Sequence, residues 1–239
     1  MHENWKRIWE KRKLDPHLKL SIADLIAADG FDYGAGKISE ENWRIYAKSL
    51  IDKLSIREKD SVYEVGCGSG ALLYALREYL PIKIGGADYS QNLIDIASRY
   101  FDDAPNFIQS SSPDFKCLEA NKIDETLKYD ILLSNGVFHY FDLNYAEEVL
   151  LKMLKKANRF VYILDIPDIK TSAASQKMRA DKLSTEEYEK KYAGLPHTYY
   201  DRDWFLSIAH RQNLRCEITN QSIPNYAQNE FRFCCLIYK

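Results

Sequence analysis

The sequence has no C-x-x-C pair among its five cysteines, Cys67, Cys117, Cys216, Cys234 and Cys235. An odd count without paired spacing argues against a disulfide framework and for a reducing compartment. No window approaches the roughly 20 apolar residues that cross a bilayer, so no membrane association is expected. The opening MHENWKRIWEKRK is charged throughout and lacks an apolar stretch, so no secretory signal is expected and the cytoplasm is the default. There is also no overall charge of one sign: Lys and Arg total 33, Asp and Glu 35, giving a formal net charge of -2. Without a basic field, nucleic acid is not an expected partner. The chain shows no internal repeat and no low-complexity linker. What it has in abundance is tyrosine, 17 residues in 239, a side chain that serves both cores and pocket walls. This length suits one well-cored domain with a small cover.

Along the chain, Trp5, Ile8 and Trp9 stand at helical spacing among Lys6, Arg7, Lys11, Arg12 and Lys13, predicting a short amphipathic helix within 3–14. Residues 18–28 predict another. FDYGAGK (31–37) is a glycine-bearing loop, and Ser39 opens a helix to about Leu54. From Asp60 the pattern alternates. Strands are predicted at 61–66, 82–90, 106–112, 129–136 and 159–167, with helices at 71–80, 91–101 and 145–157. Strands alternating with helices mean βαβ units and a parallel sheet. A helical stretch around 175–192 follows, then a helix capped by Asp201, then two closing strands in LRCEITNQS and EFRFCCLIYK. Cys234 and Cys235, adjacent in a strand, face opposite sides of the sheet.

Glu64-Val65-Gly66-Cys67-Gly68-Ser69-Gly70 carries the chemistry. A strand runs into a glycine-rich turn and then a helix, so the backbone can turn tightly and approach a ligand. Gly66-x-Gly68-x-x-Ala71 also fits the turn of dinucleotide binders. Glu64, two residues before the first glycine, and Gly70 tilt the pattern elsewhere. Asp88 ends the second strand, where a carboxylate can accept bonds from vicinal ribose hydroxyls. Ser134-Asn135-Gly136-Val137-Phe138-His139-Tyr140-Phe141 follows the fourth strand, at the sheet edge where open α/β sheets bind ligands.

These motifs resemble those of the class I, Rossmann-like, S-adenosylmethionine-dependent methyltransferases, most specifically at 61–90 and 129–141. The resemblance implies a seven-stranded, mostly parallel sheet with a closing antiparallel C-terminal hairpin and helices on both faces. It implies an N-terminal helical extension, 1–57, covering the cofactor site. A methyltransferase domain, 58–239, follows, with a substrate-cover insertion at 167–200. S-adenosylmethionine is the implied cofactor. Glu64, Gly66, Cys67, Gly68 and Gly70 would hold its methionine part, Asp88 and Tyr89 its ribose, Ser110 and Ser111 its adenine. Asn135 and Gly136 would sit beside the methionine, and Tyr33 and Lys37 would reach the cofactor from the cover. Many family members have an acid and an apolar residue after the third strand, and the serines stand there in this reading. His139 is the candidate general base, because its ordinary pKa lies near operating pH. His197, Tyr199, Tyr200 and Arg232 are candidate acceptor contacts, Arg232 for an anionic group. Asp165 and Asp168 also fall at the active edge. No metal is expected, since the acids of metal-dependent catechol methyltransferases are missing after strand four. Nor is the (N/D)-P-P-(Y/F) of base-methylating enzymes present.

The implied reaction is methyl transfer to an oxygen or nitrogen of a small molecule by a monomer or homodimer. SNGVFHYF, LDIPD and HTYYDRDWF resemble methyltransferases of bacterial surface-polysaccharide synthesis, which suggests a sugar, a phosphorylated group or a metabolite. The alternatives are an RNA or protein methyltransferase, a nicotinamide-dependent oxidoreductase, or a non-catalytic cofactor-binding module.

Overall fold

Short apolar runs that end in glycine or an acid become parallel strands when helices cover both faces of a sheet. The computed structural model describes residues 3–32, 34–103, 111–181, 186 and 194–239. Its strands are β1 Ser61–Val65, β2 Lys83–Asp88, β3 Asp114–Cys117, β4 Tyr129–Asn135, β5 Ala157–Pro167, β6 Arg215–Asn220 and β7 Arg232–Tyr238. They form one seven-stranded sheet in the order β3-β2-β1-β4-β5-β7-β6. Strands β1 to β5 pair in parallel, while β7 runs antiparallel to β5 and β6. The mostly parallel sheet with its C-terminal hairpin is therefore the one expected. The direction of strand addition reverses between β1 and β4, which opens a crevice at their carboxyl ends.

The helices are α1 Glu3–Trp9, α2 Ile22–Ala28, α3 Glu40–Leu54, α4 Ala71–Arg77, α5 Gln91–Asp103, α6 Leu143–Lys156, α7 Ser172–Ala180 and α8 Arg202–Arg211. Side-chain caps start several of them. Ser21 and Asp24 form a reciprocal capping box before α2, and Ser39, Asp142 and Asp201 accept first-turn N–H groups of α3, α6 and α8. No helix among the described residues is long and apolar enough to cross a membrane.

Alternate strand residues feed two cores. Val62, Ile131 and Cys234 pack with α2 to α5 on one face. Tyr63, Leu132 and Cys235 pack with α6 and α8 on the other, so the adjacent cysteines do split across the sheet. At the amino end of the sheet the buried Lys156 ammonium donates to the carbonyls of Asp124 and Leu127, 2.7 Å each. It also lies 4.5 Å from the Tyr63 ring and 5.0 Å from that of Tyr129.

One expectation needs correction, and another is met over the residues described. The third strand is Asp114–Cys117, not 106–112; of the predicted span, 106–110 lies outside the described residues and Ser111-Ser112 is irregular. The predicted helix at 175–192 is α7 at Ser172–Ala180; of the residues beyond Asp181 in that span, only Glu186 is described. One irregularity matters below. The pairing of β5 with β7 shifts register between Ile163 and Ile166, and Asp165 within it has φ 56°.

Candidate active site

The turn after β1 needs glycine for two reasons. Gly66 and Gly68 have φ of 74° and 53°, in the left-handed region. A Cβ on Gly66 would also lie 2.5 Å from Val137 Cγ2, and one on Gly68 would lie 2.2 Å from Asp29 Oδ1. The turn is tied to β2 by Gly66 N–H and Cys67 N–H, both donating to the Ala87 carbonyl at 2.7 and 3.0 Å.

Three acids converge behind this turn. Asp88 accepts from Gly68 N–H at Oδ2 (3.1 Å) and from Ser90 N–H at Oδ1 (2.8 Å). Burial outweighs these bonds and pushes its carboxyl up to about 6. Asp29 accepts from Ser69 N–H (2.6 Å) and Ala71 N–H (3.3 Å), taking the place of a side-chain cap that Gly70 cannot provide for α4. Burial raises it to about 7. Glu64 is raised well above the carboxylate range by burial, then by the charges of Asp29 and Asp88. Its Oε2 is buried without a hydrogen bond. All three line a cavity of about 390 Å³ at the carboxyl edge of the sheet, a volume within the usual range for small-molecule sites. This wall calls for hydrogen-bond donors and positive charge.

Helix α1 closes one side of the cavity. Trp5 donates from Nε1 to the Pro196 carbonyl (2.9 Å) and stacks on His197 at 5.0 Å. Asn4 donates to the Gly194 carbonyl (2.8 Å), and Lys6 pairs with Glu119. His197 in turn faces His139, their ring centroids 4.7 Å apart. Burial pushes both well below the usual histidine value, and the charges of Arg179 and Arg232 add to the effect, so both are neutral. Arg179 Nη1 is 2.7 Å from His197 Nδ1, while His139 Nδ1 has no hydrogen bond.

Residues 63–160 match the protein family described as Methyltransferase domain. Malonyl-(acyl-carrier protein) O-methyltransferase of Acetivibrio thermocellus is 30% identical over 125 residues, which cover 48% of this chain and 42% of that one. The chain thus spans less than half the length of that curated relative. Among solved structures, magnesium protoporphyrin IX methyltransferase from Synechocystis, with bound S-adenosylmethionine, superimposes with a TM-score of 0.61 at 14% identity over 95% of this chain and 100% of that one. Geranyl diphosphate C-methyltransferase from Streptomyces coelicolor gives 0.61 at 11% identity over 99% and 96%. At these identities the likeness establishes the fold.

Most of the residues singled out from sequence do meet. Glu64, Gly66, Cys67, Gly68, Asp88, Tyr89, Asn135, Gly136, His139, His197 and Arg232 all line the one cavity. Others do not. Gly70 is the N-cap of α4 and packs against Tyr74 and Phe115, outside the cavity lining. Lys37 is exposed and away from the lining. Ser111 is exposed, off the lining, and gives its carbonyl to Arg77. Tyr200 is wholly buried, its hydroxyl donating to the carbonyls of Phe138 (2.8 Å) and Phe141 (3.1 Å), so it supports the His139 turn from behind. Tyr199 is off the lining, its hydroxyl accepting a hydrogen bond from Arg179, which lines the cavity. Tyr33 and Ser110 lie outside the described residues. Asp168 is buried off the lining, caps the turn at Lys170 and pairs with Arg202 at 2.8 Å.

Three lining acids, Asp29, Asp32 and Glu119, are not among the residues singled out from sequence. Asp29 carries no spacing signal. Glu119 escapes the sequence reading because β3 lies further along the chain than 106–112: Leu118-Glu119-Ala120 directly follows β3 and lines the cavity.

Proposed function

We propose that the protein transfers a methyl group from S-adenosylmethionine to an oxygen or nitrogen of a small-molecule acceptor. The observation that carries this reading is the wall of Glu64, Asp29 and Asp88 around the glycine turn, where burial raises every carboxyl and leaves a Glu64 oxygen without a donor. A cofactor that brings an ammonium, a sulfonium and ribose hydroxyls meets each of those needs. Glu64 would take the amino group, Asp88 the ribose, and Glu119 the adenine amino group between Leu118 and Ala120. Gly66 and Gly68 let the backbone close on the methionine part, with Asn135 beside it. Tyr46 fixes Asn135 by donating to its Oδ1 at 3.1 Å.

When bound, the cofactor supplies an electrophilic methyl group and a neutral leaving group. The chain aligns the acceptor and excludes water, and alignment contributes up to about 7–11 kcal/mol in ideal cases. Residues 1–57 act as the cover in this reading, with Trp5 and Trp9 on the cavity wall. His139 offers its unpartnered Nδ1 as a hydrogen-bonding group and, held neutral by burial, is a poor store for a proton. His197 and Arg232 complete the acceptor end. The resemblance of residues 134–141, 164–168 and 197–205 to polysaccharide-modifying methyltransferases supports a sugar or a phosphorylated metabolite as acceptor.

Calorimetric titration with S-adenosylmethionine, S-adenosylhomocysteine and NADH tests the cofactor. Binding of the first two, lost in Asp88→Ala, is the expected result. Binding of NADH alone would replace this reading with an oxidoreductase.

A further inference from the structure

Asp165 sits in the bulge of β5, with φ 56°, a conformation that is unfavourable for a non-glycine residue. Its side chain is 2% exposed and lines the cavity. The bulge sets its carboxylate against the turn after β4. Gly136 N–H donates to the Leu164 carbonyl at 3.1 Å, and Asp165 Oδ2 lies 3.5 Å from the point a Cβ on Gly136 would occupy.

One edge of the carboxylate is held. The Tyr226 hydroxyl donates to Oδ2 at 3.2 Å, and Arg232 Nη1 lies 3.7 Å from the same oxygen. Arg232 also donates to the Asp165 carbonyl (3.1 Å) and to Gln228 Oε1 (2.8 Å), and the Gln228 amide donates to the Tyr226 hydroxyl (3.2 Å). The other oxygen, Oδ1, is buried and makes no hydrogen bond. A buried acceptor without a donor is unfavourable, and here it coincides with a strained backbone next to the turn that flanks the proposed methionine site.

We propose that Asp165 is a catalytic residue: its Oδ1 holds the hydroxyl or neutral amine of the acceptor beside the methyl group and receives its proton. This rests on the cofactor reading above. Asp165 takes the proton as the acceptor's oxygen or nitrogen bonds to the methyl carbon, while the carbon–sulfur bond breaks and its electron pair stays on sulfur. The acceptor exchanges a hydrogen for a methyl, the sulfonium becomes a neutral thioether, and the carboxylate becomes a carboxylic acid. The substrate class follows: the nucleophile carries a hydrogen, and a carboxylate acceptor is disfavoured by repulsion from Asp165.

Sinefungin tests this without knowledge of the acceptor. It is an S-adenosylhomocysteine analogue with an ammonium-bearing carbon where the methylated sulfur would be, so it delivers an N–H donor to the place Oδ1 is assigned. Wild-type protein should bind sinefungin about tenfold or more tighter than S-adenosylhomocysteine, the worth of one charge-assisted hydrogen bond. Asp165→Asn, which tolerates a left-handed backbone, should erase that preference while changing S-adenosylhomocysteine affinity by less than about twofold. Tyr226→Phe keeps the charge but frees Oδ2, and should reduce the preference about threefold; it carries the test alone if Asp165→Asn does not fold. No preference in the wild type, or the same preference in wild type and variants, overturns the assignment while the cofactor reading stands. No binding of S-adenosylhomocysteine to the wild type overturns both.

Discussion

Replacing Asp29 with asparagine should stabilise the ligand-free protein above neutral pH while weakening its hold on the cofactor. Asp29 accepts two main-chain bonds, yet burial dominates and raises its carboxyl from 3.8 to about 7. The folded protein therefore keeps this proton up to about pH 7, whereas the unfolded chain releases it near 3.8. The folded state binds more protons across that window, so stability falls as pH rises through it. A displacement from 3.8 to about 7 corresponds to roughly 4 kcal/mol over the whole window. Between about pH 5 and pH 8, with solvent in the cavity screening part of the effect, roughly 1–2 kcal/mol should be visible. Asparagine keeps the shape and has no charge to desolvate. Urea unfolding at the two pH values should show the wild type losing about that much more stability than the variant on going alkaline. At about pH 8 the variant should bind S-adenosylmethionine about tenfold more weakly. A stability difference that is the same at both pH values would refute the claim that desolvation outweighs the two hydrogen bonds.

Three further predictions come from the same geometry. A cationic cofactor favours ionised carboxyls, so its affinity should fall as pH drops through about 7 and about 6, where Asp29 and Asp88 take up protons; heats measured in buffers of different ionisation enthalpy should reveal proton release, and pH-independent binding would exclude this. Gly68→Ala forces a Cβ to 2.2 Å from Asp29 Oδ1 at a φ of 53°, so thermal unfolding should show a loss of about 2–3 kcal/mol and calorimetry a marked loss of cofactor affinity. Lys156→Met removes two carbonyl bonds and two ring contacts at the amino end of the sheet, and should lower stability by about 2–4 kcal/mol with cofactor affinity unchanged.

The central strands were legible because their signal is strong: runs such as VYEV and ILLSN are buried on both faces and stop at a glycine or an acid. β3 was not. Asp114–Cys117 is a half-exposed strand at the edge of the sheet, partnered among the described residues by β2 alone, so it needs little apolar content, and the more apolar NFI upstream drew the assignment away. That error of a few residues hid Glu119. Asp29 was hidden for a different reason, since its contacts with Ser69 and Ala71 bridge about 40 residues of chain and follow no period. Tyr200 reads as a pocket aromatic because HTYY lies between the fifth strand and the closing hairpin, but its ring fills the core beneath Phe138. The left-handed bulge at Asp165 depends on how β5 meets β7, which no local pattern encodes.

Helix α1 has seven residues, too few to stay helical in water by itself. Its order comes from Glu119, Gly194, Pro196 and His197 across the cavity. If ligand enters by that face, the helix has to detach and dock again. Exchange through it is then a first-order opening followed by capture, so the observed association rate should level off as ligand concentration rises, at a plateau set by the opening of these about two turns of chain.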